Sequence, residues 1–178
     1  MVEIRALLPF LPHDAYGMKT GDTLQLPFER RQKSRQRAIL SSGEEVAIEL
    51  PRGRVMRGGD WVVASDGRAI EIIASPERVL HAECDTPEAL ARAAYHLGNR
   101  HVPVQVGAGW LRIAEDHVLA RMLEVLGARL TTMQVPFEPE AGAYGAEHHH
   151  HDNESTHGGK IHEFKGTPRS TSQGPEKP

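Results

Sequence analysis

The sequence contains a single cysteine, Cys84, so no disulfide can form within the chain and no cysteine-based zinc site can be assembled. Aromatic residues make up only 5% of the chain, and no apolar run approaches the roughly 20 residues of a membrane-spanning helix. Neither sign of charge dominates: the net charge of −3 argues against a dedicated nucleic-acid-binding protein. The N-terminal segment lacks an apolar stretch of signal-peptide length, so we expect a soluble, cytoplasmic protein that binds neither membranes nor nucleic acid.

Motifs that carry catalysis are also missing from the sequence. It contains no phosphate-binding Gly-Lys-Ser/Thr loop, no His-Glu-x-x-His helix and no Gly-x-Ser-x-Gly turn. We therefore expect a protein that is not an enzyme.

The chain divides into three regions. Residues 1–75 contain short apolar runs separated by glycine-rich turns, a pattern that predicts a small all-β domain, and Ser75-Pro76 is a plausible boundary. Residues 76–145 predict strand, helix, two strands, helix and strand, which is the ferredoxin-like βαββαβ order. Residues 146–178 contain too little apolar surface to fold and are expected to form a disordered tail. The predicted fold class is α+β.

Capping residues locate the two helices of the second domain. Thr86 is a favourable N-cap before Pro87, and Asp116 is the equivalent residue of the second helix. Gly98 is expected to end the first helix in a left-handed conformation, and Gly127 to end the second.

Histidine is concentrated in the tail, which holds six of the 11 histidines of the chain. Histidine-rich tracts bind Ni²⁺, Cu²⁺ and Zn²⁺, because neutral imidazole is a ligand that suits all three ions. An affinity tag is the alternative explanation, but the run of four is internal and two further histidines follow it. A flexible tract can capture ions but offers no fixed geometry. The predicted tail ligands are His148, His149, His150, His151, His157 and His162.

Three histidines of the second domain are predicted to lie at the ends of helices or strands. His96 falls on the last turn of the first helix, where an imidazole interacts favourably with the helix dipole, and we favour that ordinary role. His101 is either a half-buried strand residue or a metal ligand, and His117 is a second candidate ligand beside Asp116. A two-fold axis would bring the same histidine from two protomers together, and such an open site suits delivery of an ion.

Three segments carry a family signature: His96 to Pro103, the pair Asp116-His117, and Pro136 to Gly145. Together with the histidine-rich tail, they closely resemble the urease accessory nickel metallochaperones, the UreE family. The resemblance implies an N-terminal peptide-binding domain, a metal-binding domain that forms a homodimer, and delivery of Ni²⁺ during cytoplasmic urease maturation. The implied partners are a GTPase, other urease accessory proteins and apo-urease.

The resemblance also assigns roles to individual residues. His101 matches the nickel histidine that both protomers contribute at the dimer interface. His117 matches a secondary ligand position, and Asp116 accompanies it. Some members have a further histidine where this chain has Glu115, and a carboxylate is a harder ligand. We therefore expect the secondary site to be weaker or absent.

A run of cations lies between residues 30 and 37 and consists of Arg30, Arg31, Lys33, Arg35 and Arg37. Its commonest role is a solvated loop or a protected edge strand. The functional alternative is docking onto an acidic surface of a partner protein.

Rival functions remain open. The chain could be a histidine-rich metal buffer without a client, or a chaperone whose β domain binds polypeptide while the tail is incidental. A metal-dependent hydrolase is a more distant alternative, because no general base accompanies a fixed ligand set.

Overall fold

The computed structural model describes residues 2–9 and 21–141, so the predicted tail lies outside the described residues. The first part is mostly β, as predicted. Its strands are β1 (Val2–Leu8), β2 (Asp22–Leu26), β3 (Arg35–Ile39), β4 (Glu45–Glu49), β5 (Trp61–Ala64) and β6 (Ala69–Ala74). They form one mixed sheet in the order β2-β6-β5-β1-β4-β3, and a short helix, α1 (Phe28–Arg31), follows β2.

Alternation of apolar and polar residues explains the sheet, since every second side chain points to one face. Ile4, Leu24, Val46 and Val62 are each 0% exposed and belong to a single core cluster. The sheet therefore encloses its own core.

The two edge strands of this sheet meet around Asp22. Its carboxylate accepts hydrogen bonds from the hydroxyl groups of Ser41 and Ser42 at 2.5 and 2.6 Å, and the Ser41 amide donates to the Thr23 carbonyl. The two hydroxyl groups and the Thr23 and Ser42 amides lower the pKa of Asp22 to about 2. The contact joins β2 to the turn after β3, which brings the sheet close to a closed barrel.

We predict that Asp22→Asn destabilises the protein by about 1 kcal/mol at pH 7, a value reduced for the exposure of this carboxylate. Because the folded pKa lies below the ordinary value of 3.8, the stabilisation is present above pH 4 and disappears as the pH falls through 2. Urea unfolding of parent and variant should therefore differ at pH 7 and converge in acid. Glu124→Gln, on an exposed carboxylate, is the control, and a difference that does not depend on pH would contradict the prediction.

The second part is a β/α domain, again as predicted. Its elements are β7 (Pro76–Glu83), α2 (Pro87–Gly98), β8 (Gln105–Gly107), β9 (Trp110–Ala114), α3 (His117–Val125) and β10 (Arg129–Pro136). The strands form an antiparallel sheet in the order β10-β7-β9-β8. Leu97 and Leu123 of the helices pack with Leu111 and Ile113 of β9 in one buried cluster. Within the described residues, no helix is long and apolar enough to cross a membrane.

Candidate metal site

His101 occupies the turn that ends the α2 region. Its backbone has a φ of 53°, and it is the one residue other than glycine with positive φ in the part of the chain that the structure describes. The His101 amide donates to the Gly98 carbonyl at 2.9 Å, and the Val102 amide donates to the Leu97 carbonyl at 3.2 Å. These two bonds form the Schellman motif, in which the left-handed position strongly prefers glycine.

The prediction that Gly98 ends the helix in a left-handed conformation is wrong. Gly98 remains within α2, and the chain reverses three residues later at His101. Left-handed backbone costs a residue with a side chain about 1–2 kcal/mol, so this position favours glycine on stability alone. The His101 side chain is exposed, and the residue lies outside β8, which begins at Gln105. An outlier of this kind supports the hypothesis that the residue is kept for function.

Asp116 and His117 begin α3 as the sequence predicts. Asp116 Oδ1 accepts hydrogen bonds from the amides of Val118 and Leu119 at 2.8 and 2.9 Å, which makes it the N-cap. The Leu119 bond is the main reason that the pKa of Asp116 lies below its ordinary value. His117 is exposed at the first position of the helix. One oxygen of Asp116 is therefore committed to the backbone, while the His117 imidazole faces solvent.

Glu115 is held by Arg78. Two guanidinium nitrogens of Arg78 donate to its two oxygens at 2.7 and 2.8 Å, and this pairing lowers the pKa of Glu115. A carboxylate bound in this way is less free to bind a metal, and the weak or absent secondary site stays a prediction. Within residues 2–9 and 21–141, no three His, Cys, Asp or Glu side chains are grouped to hold an ion.

An apolar face lies beside these histidines. Tyr95, Val118 and Val125 are 66%, 64% and 82% exposed, which is unusual for large apolar side chains. A cavity of about 410 Å³ opens on this helical face. It is lined by His96, Arg100, His117, Val118, Arg121, Met122, Val125 and Leu126. The candidate ligand His117 therefore borders this apolar surface, and so does Arg100, the residue before His101. Such a surface is suited to contact with another protein.

Sequence reasoning did not single out His81, which lies on β7. Arg112 Nε donates to His81 Nδ1 at 3.1 Å, and the imidazole packs against Trp110 with ring centroids 5.0 Å apart. The alternation of β7 places Leu80 and Ala82 in the core and turns His81 to the opposite face. The alternation along β7 is the sequence signal from which the orientation of His81 could have been predicted. The hydrogen bond from Arg112 gives His81 a structural role.

The run of cations does not form one exposed surface. The Arg31 side chain is 0% exposed, so the prediction that it docks a partner is corrected: its guanidinium is enclosed within the protein. Lys33 pairs with Glu29 at 2.7 Å. Arg35 and Arg37 face Glu49 and Glu45 across β3 and β4, and Arg30 donates to Gln36 Oε1. Docking by Arg30, Lys33, Arg35 and Arg37 stays a prediction.

The remaining predicted ligands, His148, His149, His150, His151, His157 and His162, lie outside the described residues. Burial raises the pKa of the Cys84 thiol, so in the absence of a metal ion this side chain is held in its neutral form. The fold and this surface define a two-domain protein whose candidate chemistry resides in solvent-facing histidines beside an apolar face.

Comparison with known proteins identifies the family. The model for the UreE urease accessory protein N-terminal domain matches residues 8–75, and that for its C-terminal domain matches residues 77–165. The chain therefore belongs to the UreE family of urease accessory proteins, which confirms the resemblance found in the sequence.

Individual relatives agree with this assignment. A urease accessory protein UreE from Nitrosospira multiformis is 52% identical over 140 residues, covering 79% of this chain and 80% of the relative. The protein of the same name from Cupriavidus necator is 55% identical over 136 residues, covering 76% of this chain and 71% of the relative.

Proposed function

We propose that this protein is a homodimeric nickel metallochaperone that delivers Ni²⁺ to apo-urease in the cytoplasm and has no enzymatic activity of its own. It works with the urease accessory GTPase and the other urease accessory proteins. The observation that carries the proposal is the exposed His101, which occupies a left-handed position where glycine would be more stable. The strand order β10-β7-β9-β8 supports the ferredoxin-like assignment of the domain that holds it.

A shared site follows from ligand chemistry. A single imidazole is a poor metal site, whereas a two-fold axis places His101 of one protomer against its own copy. The exposed apolar face of α2 and α3 is the surface that we assign to the dimer contact. An ion held there by two imidazoles keeps open coordination positions, through which a partner can take it. The same ligands also bind Cu²⁺ and Zn²⁺.

The tail histidines follow the described fold after a short stretch of chain. The Glu140 amide donates to the Val104 carbonyl at 2.8 Å, so the chain leaves the fold beside the segment that follows His101. His148 follows Ala141 by seven positions in the chain, a span of at most about 25 Å. We infer that the tail gathers Ni²⁺ and passes it to the paired His101 side chains.

We predict that deletion of residues 148–178 lowers the number of Ni²⁺ ions bound per dimer but leaves the His101 site. Titration calorimetry on full-length and truncated dimers measures both quantities. Urease activation in the presence of the truncated protein should fall only when nickel is scarce, because the tail raises the local supply of ions. Loss of all nickel binding on truncation would contradict the assignment of a separate site at His101.

Transfer experiments separate this proposal from its rivals. A metal buffer releases nickel only at its dissociation rate, whereas a metallochaperone transfers nickel to the partner GTPase faster than it loses the ion to solution. A polypeptide-binding chaperone would bind its client equally well after removal of metal and tail.

A further inference from the structure

The buried guanidinium of Arg31 lies where the two domains meet. From the first domain, the carbonyls of Leu26 and Met56 accept its hydrogen bonds at 3.2 and 3.1 Å. From the segment after β10, the Phe137 carbonyl accepts one at 2.5 Å and Glu138 Oε1 accepts one at 2.6 Å. One fully buried side chain is therefore bonded to both domains at once.

Glu138 is the matching group on the other side of the contact. Besides Arg31, its carboxylate accepts from the Gly58 amide at 2.9 Å and from Arg57 at 3.2 Å. Burial opposes ionisation, but the Gly58 amide and the two guanidinium groups outweigh it, so the pKa of Glu138 lies below its ordinary value. A side chain at position 58 would approach Glu138 Oε1 to 3.1 Å, so glycine allows this close contact.

Apolar packing surrounds the ion pair. Phe28 and Phe137 meet edge to face with ring centroids 5.5 Å apart, and both belong to a cluster with the fully buried Val79. The Arg31 guanidinium also lies 5.6 Å from the centre of the Phe28 ring. Removing the Glu138 carboxylate would leave the fully buried Arg31 charge without its anionic partner, which is strongly destabilising for that arrangement.

The same segment is fixed to the sheet of the second domain. The Glu138 amide donates to Gln105 Oε1 at 3.3 Å, and Glu140 is bonded to Val104. Residues 137–140 are thus attached to β8 on one side and to Arg31 on the other. A change in the position of the first domain must break either the ion pair or these bonds.

We propose that Arg31 is a positioning residue that, through Glu138, couples the two domains into one cooperative unit with a single relative orientation. The first domain is then a fixed arm of the metal-binding domain and not a module on a flexible tether. The geometry requires no bound metal, so the proposal is independent of nickel delivery.

The two tryptophans of the chain allow a direct test, since Trp61 lies on β5 of the first domain and Trp110 on β9 of the second. Trp110→Phe and Trp61→Phe each leave one fluorescent reporter in the full chain. In metal-free buffer, the two single-tryptophan proteins should unfold at the same urea concentration. In the Arg31→Met or Glu138→Gln background, the two midpoints should separate by roughly 1 M urea.

Separation of the midpoints distinguishes coupling from general stability, because a merely stabilising residue would lower both midpoints together. Glu115→Gln removes the exposed pair with Arg78 inside one domain and should leave the midpoints coincident. Where Arg31→Met does not fold, Arg31→Lys gives the comparison, since lysine retains the charge but cannot reach all four acceptors. Coincident midpoints in both folded variants, or separate midpoints in the parent proteins, would overturn the proposal.

Discussion

Replacing His101 with alanine in the tail-deleted protein should weaken nickel binding by roughly 100-fold or more, because the proposed dimeric site then loses one imidazole from each protomer at once. The fold should persist, since the His101 side chain is exposed and lies outside the core. Titration calorimetry with Ni²⁺ measures the affinity, and circular dichroism checks the fold. Unchanged affinity and stoichiometry would refute the assignment of this histidine.

His101→Gly is the informative companion variant. It removes the same imidazole but suits the left-handed backbone at φ 53°, so it should raise stability by about 1 kcal/mol over alanine while losing nickel equally. Urea unfolding of the metal-free proteins gives the comparison. If glycine does not raise the stability, the backbone at this position is not strained. The argument that histidine is kept there for metal binding, at a cost in stability, would then be contradicted.

Much of the fold could be predicted because its signals are local. The N-caps Thr86 and Asp116 accept the backbone hydrogen bonds that their side chains suggest, and alternation of apolar residues marks the strands. The prediction for Gly98 was wrong because it relied on glycine being the commonest left-handed residue. The position of the chain reversal depends instead on the hydrogen bond from the Val102 amide to the Leu97 carbonyl. That hydrogen bond forms where Leu97 and Val102 pack into the core, whether or not a glycine is nearby.

For Arg31, the local sequence gives a wrong expectation about burial. It belongs to a run of cations that resembles a solvated surface, but its acceptors Phe137 and Glu138 are more than 100 residues away in the chain. Burial of an arginine is favourable only when all partners are supplied together, and that condition is set by tertiary structure alone. The motif predicts His101 as a ligand, whereas its left-handed backbone is seen only in the structure.

Introducing a charge on the apolar helical face should convert the dimer to a monomer. Val125 is 82% exposed on α3, and Val125→Glu would place a carboxylate in the proposed apolar contact, where the cost of removing it from water exceeds what the nearby Arg121 can repay. Sedimentation should then show a monomer. Calorimetry should show loss of the His101 site, although His101 itself is unchanged in every chain. Both effects follow from the proposed site, to which each of two protomers contributes its His101 side chain.

Ile39→Glu is the matched control, since Ile39 is 67% exposed but lies on β3 of the first domain. It adds the same charge at a comparably exposed apolar position and should preserve both the dimer and nickel binding. A Val125→Glu protein that remains dimeric would exclude this face as the contact. A monomeric Val125→Glu protein that keeps full nickel affinity would show instead that one chain completes the site, and the shared imidazole pair would have to be abandoned.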